Sequence, residues 1–383
     1  MNRLLLTLLC YFISTHVHAV IFPKNGGTGS TNFSVQADGT VKAWGALDQH
    51  SPPAKQLVPV TYTGLTNVKM VSGTSFVKND GTAWEVYVGN TSFLNSPAHQ
   101  VPISNVTKLS KAHVHTVALK SDGTVWGWGD NQQGELGTGL ITYSEPVPVQ
   151  AVGLTGIIDI STGGSSSSSS YALKSDGTVW AWGGNEFGQF GNGSTCGSPF
   201  CGIPTPTQIP GLTGIVEIAS GYRHTLILKG DGTVWATGDY YGVNFKQILG
   251  LSNIVSIVAG NGNSMALKSD GSVLRFSQGY NPTAVNGLNN IQSIQLTEGG
   301  DVAFATANNG TVYLWGNGYL GNGTSTGSTS PVILGVVIIT PPPSSSETHQ
   351  VPALSELWLL IMGAFILIIS FALQMERKPK LKH

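Results

Sequence analysis

The chain has 383 residues, of which 50 are glycine, and only 10% of its positions are charged, against about 25% in typical globular proteins. Between residues 20 and 350 there are 14 Lys and Arg against 18 Asp and Glu, a net charge of −4. A nucleic-acid-binding domain presents a basic surface, so we expect no nucleic acid among the partners.

Residues 1–19 have the three parts of a secretory signal peptide. Arg3 supplies the positive charge, Leu4 to Ile13 form an apolar stretch, and Val17-His18-Ala19 forms a cleavage pattern. An apolar stretch of this length is too short to span a bilayer. We therefore expect cleavage between Ala19 and Val20, and export of the rest of the chain.

One phrase recurs seven times between residues 20 and 340, and a well-preserved copy is SDGTVWGWG at 121–129. Successive copies are 39 to 55 residues apart, close to the repeat of about 40–50 residues that is typical of propellers and solenoids. The seven turn positions are Asp38, Asp80, Asp122, Asp176, Asp231, Asp270 and Asn309.

Each copy predicts four short strands. Asp-Gly between two apolar runs predicts a hairpin with a type I′ turn, because glycine tolerates positive φ. In the third copy the two hairpin strands are HTVALK (115–120) and TVWGWG (124–129). A β-rich run precedes the hairpin of a repeat, as GLTGIIDISTG (153–163) does in the fourth copy. A proline-rich run follows the hairpin, as EPVPVQ (145–150) does in the third copy. Four strands per repeat form the blade of a propeller.

Eight of the nine tryptophans fall into two columns on the outgoing strand of the hairpin. The columns are two residues apart, so their side chains point to the same face. We interpret both columns as packing between blades rather than as a ligand platform. The first column holds Trp84, Trp126, Trp180 and Trp235, and the second holds Trp44, Trp128, Trp182 and Trp315.

The phrase AxGxxHTLxLKxDGTVWAWGxNxxGQxGxG resembles the repeat of the regulator of chromosome condensation family, over about residues 20–340. The resemblance implies an all-β fold, a seven-bladed β-propeller with four short antiparallel strands per blade. A scaffold shared this widely does not carry a function with it. The guanine-nucleotide exchange activity of that family is therefore only a less favoured alternative for an exported chain.

The first repeat lacks the β-rich run that precedes the other hairpins. A β-branched run, SPVILGVVIIT (330–340), follows the last repeat. We predict that residues 332–339 pair with the blade containing residues 33–44, because closing the ring removes exposed sheet edges.

Cys196 and Cys201 are the only cysteines of the predicted mature body, and in an exported protein this spacing predicts a local disulfide. His113 and His115 lie two apart on a predicted strand, but a metal site needs more ligands than these two. His115 and His224 share one repeat position, which favours a structural role. We expect no metal, no cofactor and no catalytic residue, and hence no enzyme.

The composition changes after Thr340. Residues 341–350 are a Pro/Ser linker, and residues 351–383 combine a short motif, an apolar helix over 357–373 and a basic tail. The arrangement resembles the IPTL-CTERM sorting signal, which implies an exosortase-type membrane enzyme as a partner; a permanent membrane anchor is the alternative. The motif residues are Val351, Pro352, Ala353, Leu354, Ser355 and Glu356.

These patterns favour a non-enzymatic protein-binding module at the cell surface or outside the cell. The alternatives are a structural component of the cell envelope or biofilm matrix, and a propeller enzyme.

Because antiparallel strands alternate in direction, the loops before HTLxLK and after the WG ending should share one face, opposite the Asp-Gly turns. That face should bind an unidentified protein or surface ligand through residue types enriched at protein interfaces, or carry them only as scattered surface aromatics. They are Phe187, Tyr222, Arg223, Tyr240, Tyr241, Tyr280 and Tyr319.

Overall fold

The computed structural model describes residues 24–26, 29–46, 55–86, 96–164, 168–198, 201–277, 281–297 and 301–334. These residues form 28 β-strands. Nowhere in the described part is there a helix long and apolar enough to cross a membrane. The predicted signal peptide (1–19), linker (341–350) and sorting signal (351–383, with its helix 357–373) lie outside the described residues.

In the described part of the chain the strands form seven four-stranded antiparallel sheets, which confirms the predicted all-β propeller. Blade 1 has β1 (Lys24–Gly26), β2 (Gly29–Val35), β3 (Val41–Ala46) and β4 (Lys55–Tyr62); blade 2 has β5 (Val68–Ser72), β6 (Ser75–Lys78), β7 (Ala83–Val86) and β8 (Ala98–Gln100). Blade 3 has β9 (Val106–Lys111), β10 (His115–Lys120), β11 (Val125–Asp130) and β12 (Ser144–Gln150); blade 4 has β13 (Ile157–Gly163), β14 (Ser169–Lys174), β15 (Val179–Gly184) and β16 (Gly202–Gln208). Blade 5 has β17 (Ile215–Ser220), β18 (His224–Lys229), β19 (Val234–Gly238) and β20 (Gly242–Gln247). Blade 6 has β21 (Ile254–Ala259), β22 (Asn263–Lys268), β23 (Val273–Ser277) and β24 (Thr283–Ala284); blade 7 has β25 (Ile291–Leu296), β26 (Val302–Ala307), β27 (Val312–Gly316) and β28 (Ser328–Ile333).

The Asp-Gly hairpins are confirmed, but their turn type differs from the prediction. In the Asp-Gly turn of blade 3 only Gly123 has a positive φ, of 76°, whereas a type I′ turn needs two such residues. Gly123 N donates to Lys120 O (3.0 Å), and Lys120 N donates to Thr124 O (3.0 Å). This is a type I turn followed by a glycine bulge. The Asp122 carboxylate stabilises it by accepting from Thr124 N (3.0 Å) and Thr124 Oγ1 (2.6 Å).

The two tryptophan columns have different environments. In the first column Trp126 is half-buried, and its Nε1 donates to Thr124 Oγ1 at 3.1 Å. Lysines lie over these rings, with Lys78 Nζ 4.1 Å from the centre of the Trp84 ring. In the second column Trp44 and Trp182 are completely buried. The second column therefore forms the packing between blades, whereas the first also contributes to the hairpin itself.

Within the described residues, three blades reach over the next blade with a glycine-rich loop that follows the WG ending. We call these loops clasps: residues 131–139 of blade 3, 185–193 of blade 4 and 317–323 of blade 7. Each clasp donates one backbone hydrogen bond to the outer strand of the following blade, and each buries one large apolar side chain. The bonds are Gly139 N to Pro204 O (2.8 Å), Gly193 N to Val243 O (2.8 Å) and Gly323 N to Leu57 O (2.9 Å), and the buried side chains are Leu136, Phe190 and Leu320.

The predicted closure of the ring by residues 332–339 is wrong for the part that the structure describes. Strand β28 pairs with β27 inside blade 7, and Leu334 N continues that pairing by donating to Val312 O at 2.8 Å. The inner strand of blade 1 is instead β1, which directly precedes the first hairpin and pairs with β2. Two side chains of blade 1 also bind the clasp of blade 7: Trp44 Nε1 and Asn32 Nδ2 both donate to the backbone carbonyl Tyr319 O at 3.1 Å.

Candidate protein-binding face

The two faces of the propeller carry the loops that the strand directions predict. On one face the Asp-Gly turns contact the connections between blades, as in Val68 N to Gly39 O (3.0 Å) and Ile157 N to Gly123 O (3.3 Å). The loops before β10, β14 and β18 and the clasps lie at the opposite strand ends. We call this second face the clasp face.

Arg223 joins side chains from two blades on the clasp face. Its guanidinium carbon lies 4.5 Å from the centre of the Phe187 ring, which belongs to the clasp of blade 4. Its Nη1 lies 3.7 Å from the Asp239 carboxylate in blade 5. The Arg223 side chain remains 46% exposed. A guanidinium stacked on one side and paired on another is ordered for binding while still open to a partner.

The turn between β19 and β20 presents Tyr240 to solvent. Tyr240 is 73% exposed and has a φ of 68°, which is left-handed and strained for a residue other than glycine. Tyr241 is half-buried, its ring centre lies 6.0 Å from that of His224, and burial raises the pKa of its hydroxyl. The turn is closed by Tyr241 N, which donates to Gly238 O at 2.9 Å.

The structure brings five of the seven predicted residues into blades 4 and 5. We call Phe187, Tyr222, Arg223, Tyr240 and Tyr241 the aromatic patch. Tyr222 is half-buried, and its backbone N donates to Gly260 O in blade 6 at 3.1 Å. Tyr319 lies apart in the clasp of blade 7, and Tyr280 lies outside the described residues.

Sequence reasoning missed a second exposed apolar group on the same face. Leu140, Ile141 and Tyr143, between β11 and β12, are 64%, 52% and 81% exposed. They lie in a loop without strand periodicity, so only their apolar character in a turn-rich segment could have indicated them. The opposite face also has exposed apolar residues, since Ile158, Val216 and Val255 at the starts of the inner strands are 52–55% exposed.

The carboxylates of the turn aspartates and of Glu217 accept hydrogen bonds that stabilise the fold. Asp122 and its equivalents are turn residues, and the threonine hydrogen bonds lower their pKa values. Burial raises the pKa of Glu217 to about 7, and its carboxylate accepts from Ser256 Oγ (3.0 Å) and Ile257 N (3.1 Å). Across the described ranges no group of three or more His, Cys, Asp or Glu is placed to hold a metal ion.

The two repeat histidines link neighbouring blades, which confirms their structural role. Nε2 of His115 lies 2.8 Å from Ser170 Oγ in blade 4, and Nε2 of His224 lies 2.9 Å from Ser264 Oγ in blade 6. Burial lowers their pKa values to about 3 and about 4, so both are neutral at pH 7. His113 is an exposed loop residue, so the predicted common strand face of His113 and His115 is wrong.

Cys196 and Cys201 are joined by a disulfide in the structure, with their Cα atoms 5.9 Å apart. The bond closes a small loop between β15 and β16, next to the clasp of blade 4.

The described sheets define a seven-bladed β-propeller built from a recurring hairpin repeat. Residues 122–168 and 176–228 match the family model described as Regulator of chromosome condensation (RCC1) repeat, and a second model with that description matches residues 157–189. The chain therefore contains RCC1 repeats. The RCC1-like propeller fold supports the interpretation of this chain as a protein-binding or regulatory module.

Curated relatives match about a third of this chain. The human probable E3 ubiquitin-protein ligase HERC6 is 32% identical over 136 residues, which are 35% of this chain and 13% of the relative. The mitochondrial RCC1 domain-containing protein RUG3 of Arabidopsis thaliana is 34% identical over 142 residues, 36% of this chain and 29% of the relative. The chain thus matches less than a third of either relative. The crystal structure of human WBSCR16 has a TM-score of 0.62 and 16% identity, covering 76% of this chain and 90% of that one, and this similarity shows the fold alone.

Proposed function

We propose that this chain is an exported, non-enzymatic protein-binding module whose partner binds the aromatic patch. The observation that carries the proposal is the position of Arg223, which rests on Phe187 of blade 4 and beside Asp239 of blade 5. Two blades thereby order one surface of Arg and aromatic side chains, the residue types most enriched at interface hot spots. Tyr240 extends this surface into solvent.

The proposal of a non-enzymatic protein is supported by the structural hydrogen bonds that the aspartates and buried histidines make. The turn aspartates accept hydrogen bonds from threonine, and the buried histidines contact serines of the next blade. HERC6 is named as a ubiquitin ligase, but this chain matches only 13% of it. The name of that relative therefore gives no ground for ligase chemistry in this chain.

The exported location is proposed from the terminal sequences. Arg3 followed by an apolar stretch supports signal-peptide cleavage after Ala19, and the apolar run 357–373 with its basic tail supports membrane-dependent processing by an exosortase-type enzyme. Cell fractionation and N-terminal sequencing test both parts. We expect the body outside the cytoplasm with a mature end near Val20. A cytoplasmic full-length chain would contradict export, and a surface protein that keeps residues 357–383 would favour a permanent anchor.

The binding experiment starts from a partner captured by cross-linking at the cell surface and purified. We expect Tyr240→Ala and Arg223→Ala to weaken its affinity by at least about 1 kcal/mol, the usual hot-spot threshold. Leu249→Ala is the matched control, because Leu249 is 78% exposed in the connection on the opposite face. If Leu249→Ala abolishes binding while both patch variants bind normally, the aromatic patch is not the site. A chain that assembles only with itself into an envelope layer would favour the structural alternative.

A further inference from the structure

The junction between blades 6 and 7 differs from the clasped junctions. Only residues 278–282 separate β23 from β24, whereas residues 131–143 separate β11 from β12 in blade 3. A five-residue connection is too short for the loop that crosses to the next blade elsewhere. The sequence of blade 6 also lacks the WG ending that precedes each clasp.

Two residues at this junction occupy positions that a clasp contacts in other blades. Trp315 is the second-column residue of blade 7, equivalent to Trp182, whose Nε1 donates to Glu135 O of a clasp at 2.7 Å. Arg275 stands at the position of Gly127 in blade 3. A Cβ added to Gly127 would lie 3.0 Å from Leu136, so the buried clasp residue packs directly on this position.

A cavity of about 380 Å³ borders both residues. Met265 and Ala303 line its apolar walls together with Trp315, while Asp301 and Arg275 contribute its charges. Asp301 directly precedes β26, so the cavity reaches the strand ends on the clasp face, which also carries the aromatic patch. A second cavity, of about 270 Å³, also borders Arg275 and Trp315.

The polar groups of this cavity have bonding capacity to spare. Among the residues that the structure describes, neither an ion pair of Arg275 nor a hydrogen bond from the Trp315 indole is found. A guanidinium offers five donors in a planar fork that matches a carboxylate. The second-column indoles of Trp44 and Trp182 each donate to a clasp carbonyl.

We propose that this cavity binds a peptide segment of a protein partner, which enters as a clasp supplied by the other molecule. A leucine or phenylalanine side chain of that segment enters the cavity beside Met265 and Trp315. The preceding carbonyl accepts from Trp315 Nε1, and an adjacent carboxylate pairs with Arg275. The inference rests on the proposed protein-binding function, to which it adds a second contact region and the chemistry of the bound segment.

The chain itself supplies a suitable probe. The clasp of blade 3 contains GELGTG, in which Glu135 directly precedes Leu136. An acetylated, amidated GELGTG peptide is added to the full-length protein carrying ¹⁵N-labelled tryptophan, and the indole signals are recorded. The Trp315 signal is assigned by its loss in Trp315→Phe. We expect that signal to move saturably with GELGTG and to stay in place with GESGTG, which lacks the apolar side chain.

The charge requirement is tested with Arg275→Glu and with the neutral peptide GQLGTG. We expect Arg275→Glu to bind GELGTG roughly tenfold less tightly, the loss that corresponds to one charge-assisted hydrogen bond, and to bind GQLGTG as the wild type does. Arg275→Gln should likewise bind GELGTG less tightly than the wild type and bind GQLGTG as the wild type does. Unchanged signals from the other tryptophans show that each variant is folded.

The outcomes separate this inference from the proposed function. If no peptide moves the Trp315 signal, or if Arg275→Glu and Arg275→Gln bind GELGTG like the wild type, the cavity assignment is overturned. A partner that still depends on Tyr240 would then leave the proposed function standing. The converse outcome is that the peptide shifts the Trp315 signal while Tyr240→Ala and Arg223→Ala leave partner binding unchanged. That outcome supports the cavity as a peptide site and contradicts the aromatic patch as the partner's binding site.

Discussion

The indole Nε1 of Trp182 donates a 2.7 Å hydrogen bond to the backbone carbonyl of Glu135, which joins blade 4 to the clasp of blade 3. The same carbonyl accepts from Ser170 Oγ at 2.8 Å, and Ser170 Oγ lies 2.8 Å from His115 Nε2. Because the only hydroxyl proton of Ser170 is directed to Glu135, Nε2 of His115 must be the donor to Ser170. One carbonyl of the blade 3 clasp thus accepts from two side chains of blade 4, and His115 of blade 3 donates to one of them.

The first prediction concerns this anchor. Trp182→Phe removes the donor from a fully buried site and leaves a small void, so we expect the free energy of unfolding to fall by about 2 kcal/mol. Trp180→Phe is the matched control in the same strand, because Trp180 is only half-buried and its Nε1 has no partner among the described residues. Urea denaturation of both variants measures the difference. An equal or larger loss in Trp180→Phe would contradict the assigned role.

Local physical rules account for what could be predicted of the fold. The need for positive φ marks every Asp-Gly turn, and strand alternation predicts which loops share a face. The turn type could not be predicted, because Asp-Gly suits both a type I′ turn and a type I turn with a bulge. The hydrogen bonds from Thr124 to Asp122 stabilise the latter. Strand β1 could not be predicted either, since Lys24–Gly26 has no β-rich pattern and is a strand only through its pairing with β2.

The candidate site was predictable by residue type but not by arrangement. Tyr222, Arg223 and Phe187 could be assigned to one face, because that depends on strand direction alone. The stacking of Arg223 on Phe187 depends on how the blade 4 clasp crosses blade 5, a contact between residues 36 positions apart in the sequence. The cavity beside Trp315 was not predictable either, because its walls combine side chains of two blades, such as Met265 and Trp315, that lie far apart in the sequence.

The second prediction uses the raised pKa of Glu217. Burial raises it from 4.5 to about 7, so the folded state binds a proton more tightly than the unfolded state. Its contribution to stability is therefore fully present below pH 4.5 and lost as the pH rises through 7. Lys108 opposes the shift and Asp159 adds to it. We expect the free energy of unfolding of the wild type, minus that of Glu217→Gln, to fall between about pH 4.5 and pH 7. A difference that is independent of pH would contradict this environment for Glu217.

The third prediction has the opposite sign. Burial lowers the pKa of His224 from 6.5 to about 4, so the unfolded state takes up a proton first on acidification. The contribution of His224 to stability is present above pH 6.5 and lost as the pH falls towards 4. We expect the difference between wild type and His224→Gln to decrease over that range in chemical denaturation. His113→Gln is the control, because His113 is exposed in the loop before β10. The same slope in both variants would mean that burial at Ser264 is not the cause.

The fourth prediction is that secreted material carries the Cys196–Cys201 disulfide. Mass spectrometry of non-reduced peptides should find the two cysteines linked, and two free thiols would contradict the prediction. Because the closed loop is short, reduction should lower the free energy of unfolding by no more than about 2 kcal/mol. Cys196→Ser should reproduce the effect of reduction on the wild type, and reduction of that variant should change its stability no further.

The last prediction concerns the strained backbone at Tyr240. Its φ of 68° lies in the left-handed region, which costs a bulky residue such as tyrosine about 1 kcal/mol. Tyr240→Gly removes that strain but adds freedom to the unfolded chain, so we expect stability to stay unchanged or to rise by up to about 1 kcal/mol. Tyr222→Gly, where φ is not positive, should instead lose about 1 kcal/mol. If Tyr240→Gly gains stability while binding of the captured partner weakens, an exposed tyrosine is kept in a strained turn because it makes contact. If Tyr240→Gly binds normally, the strain has no such role, and the aromatic patch must be redrawn without Tyr240.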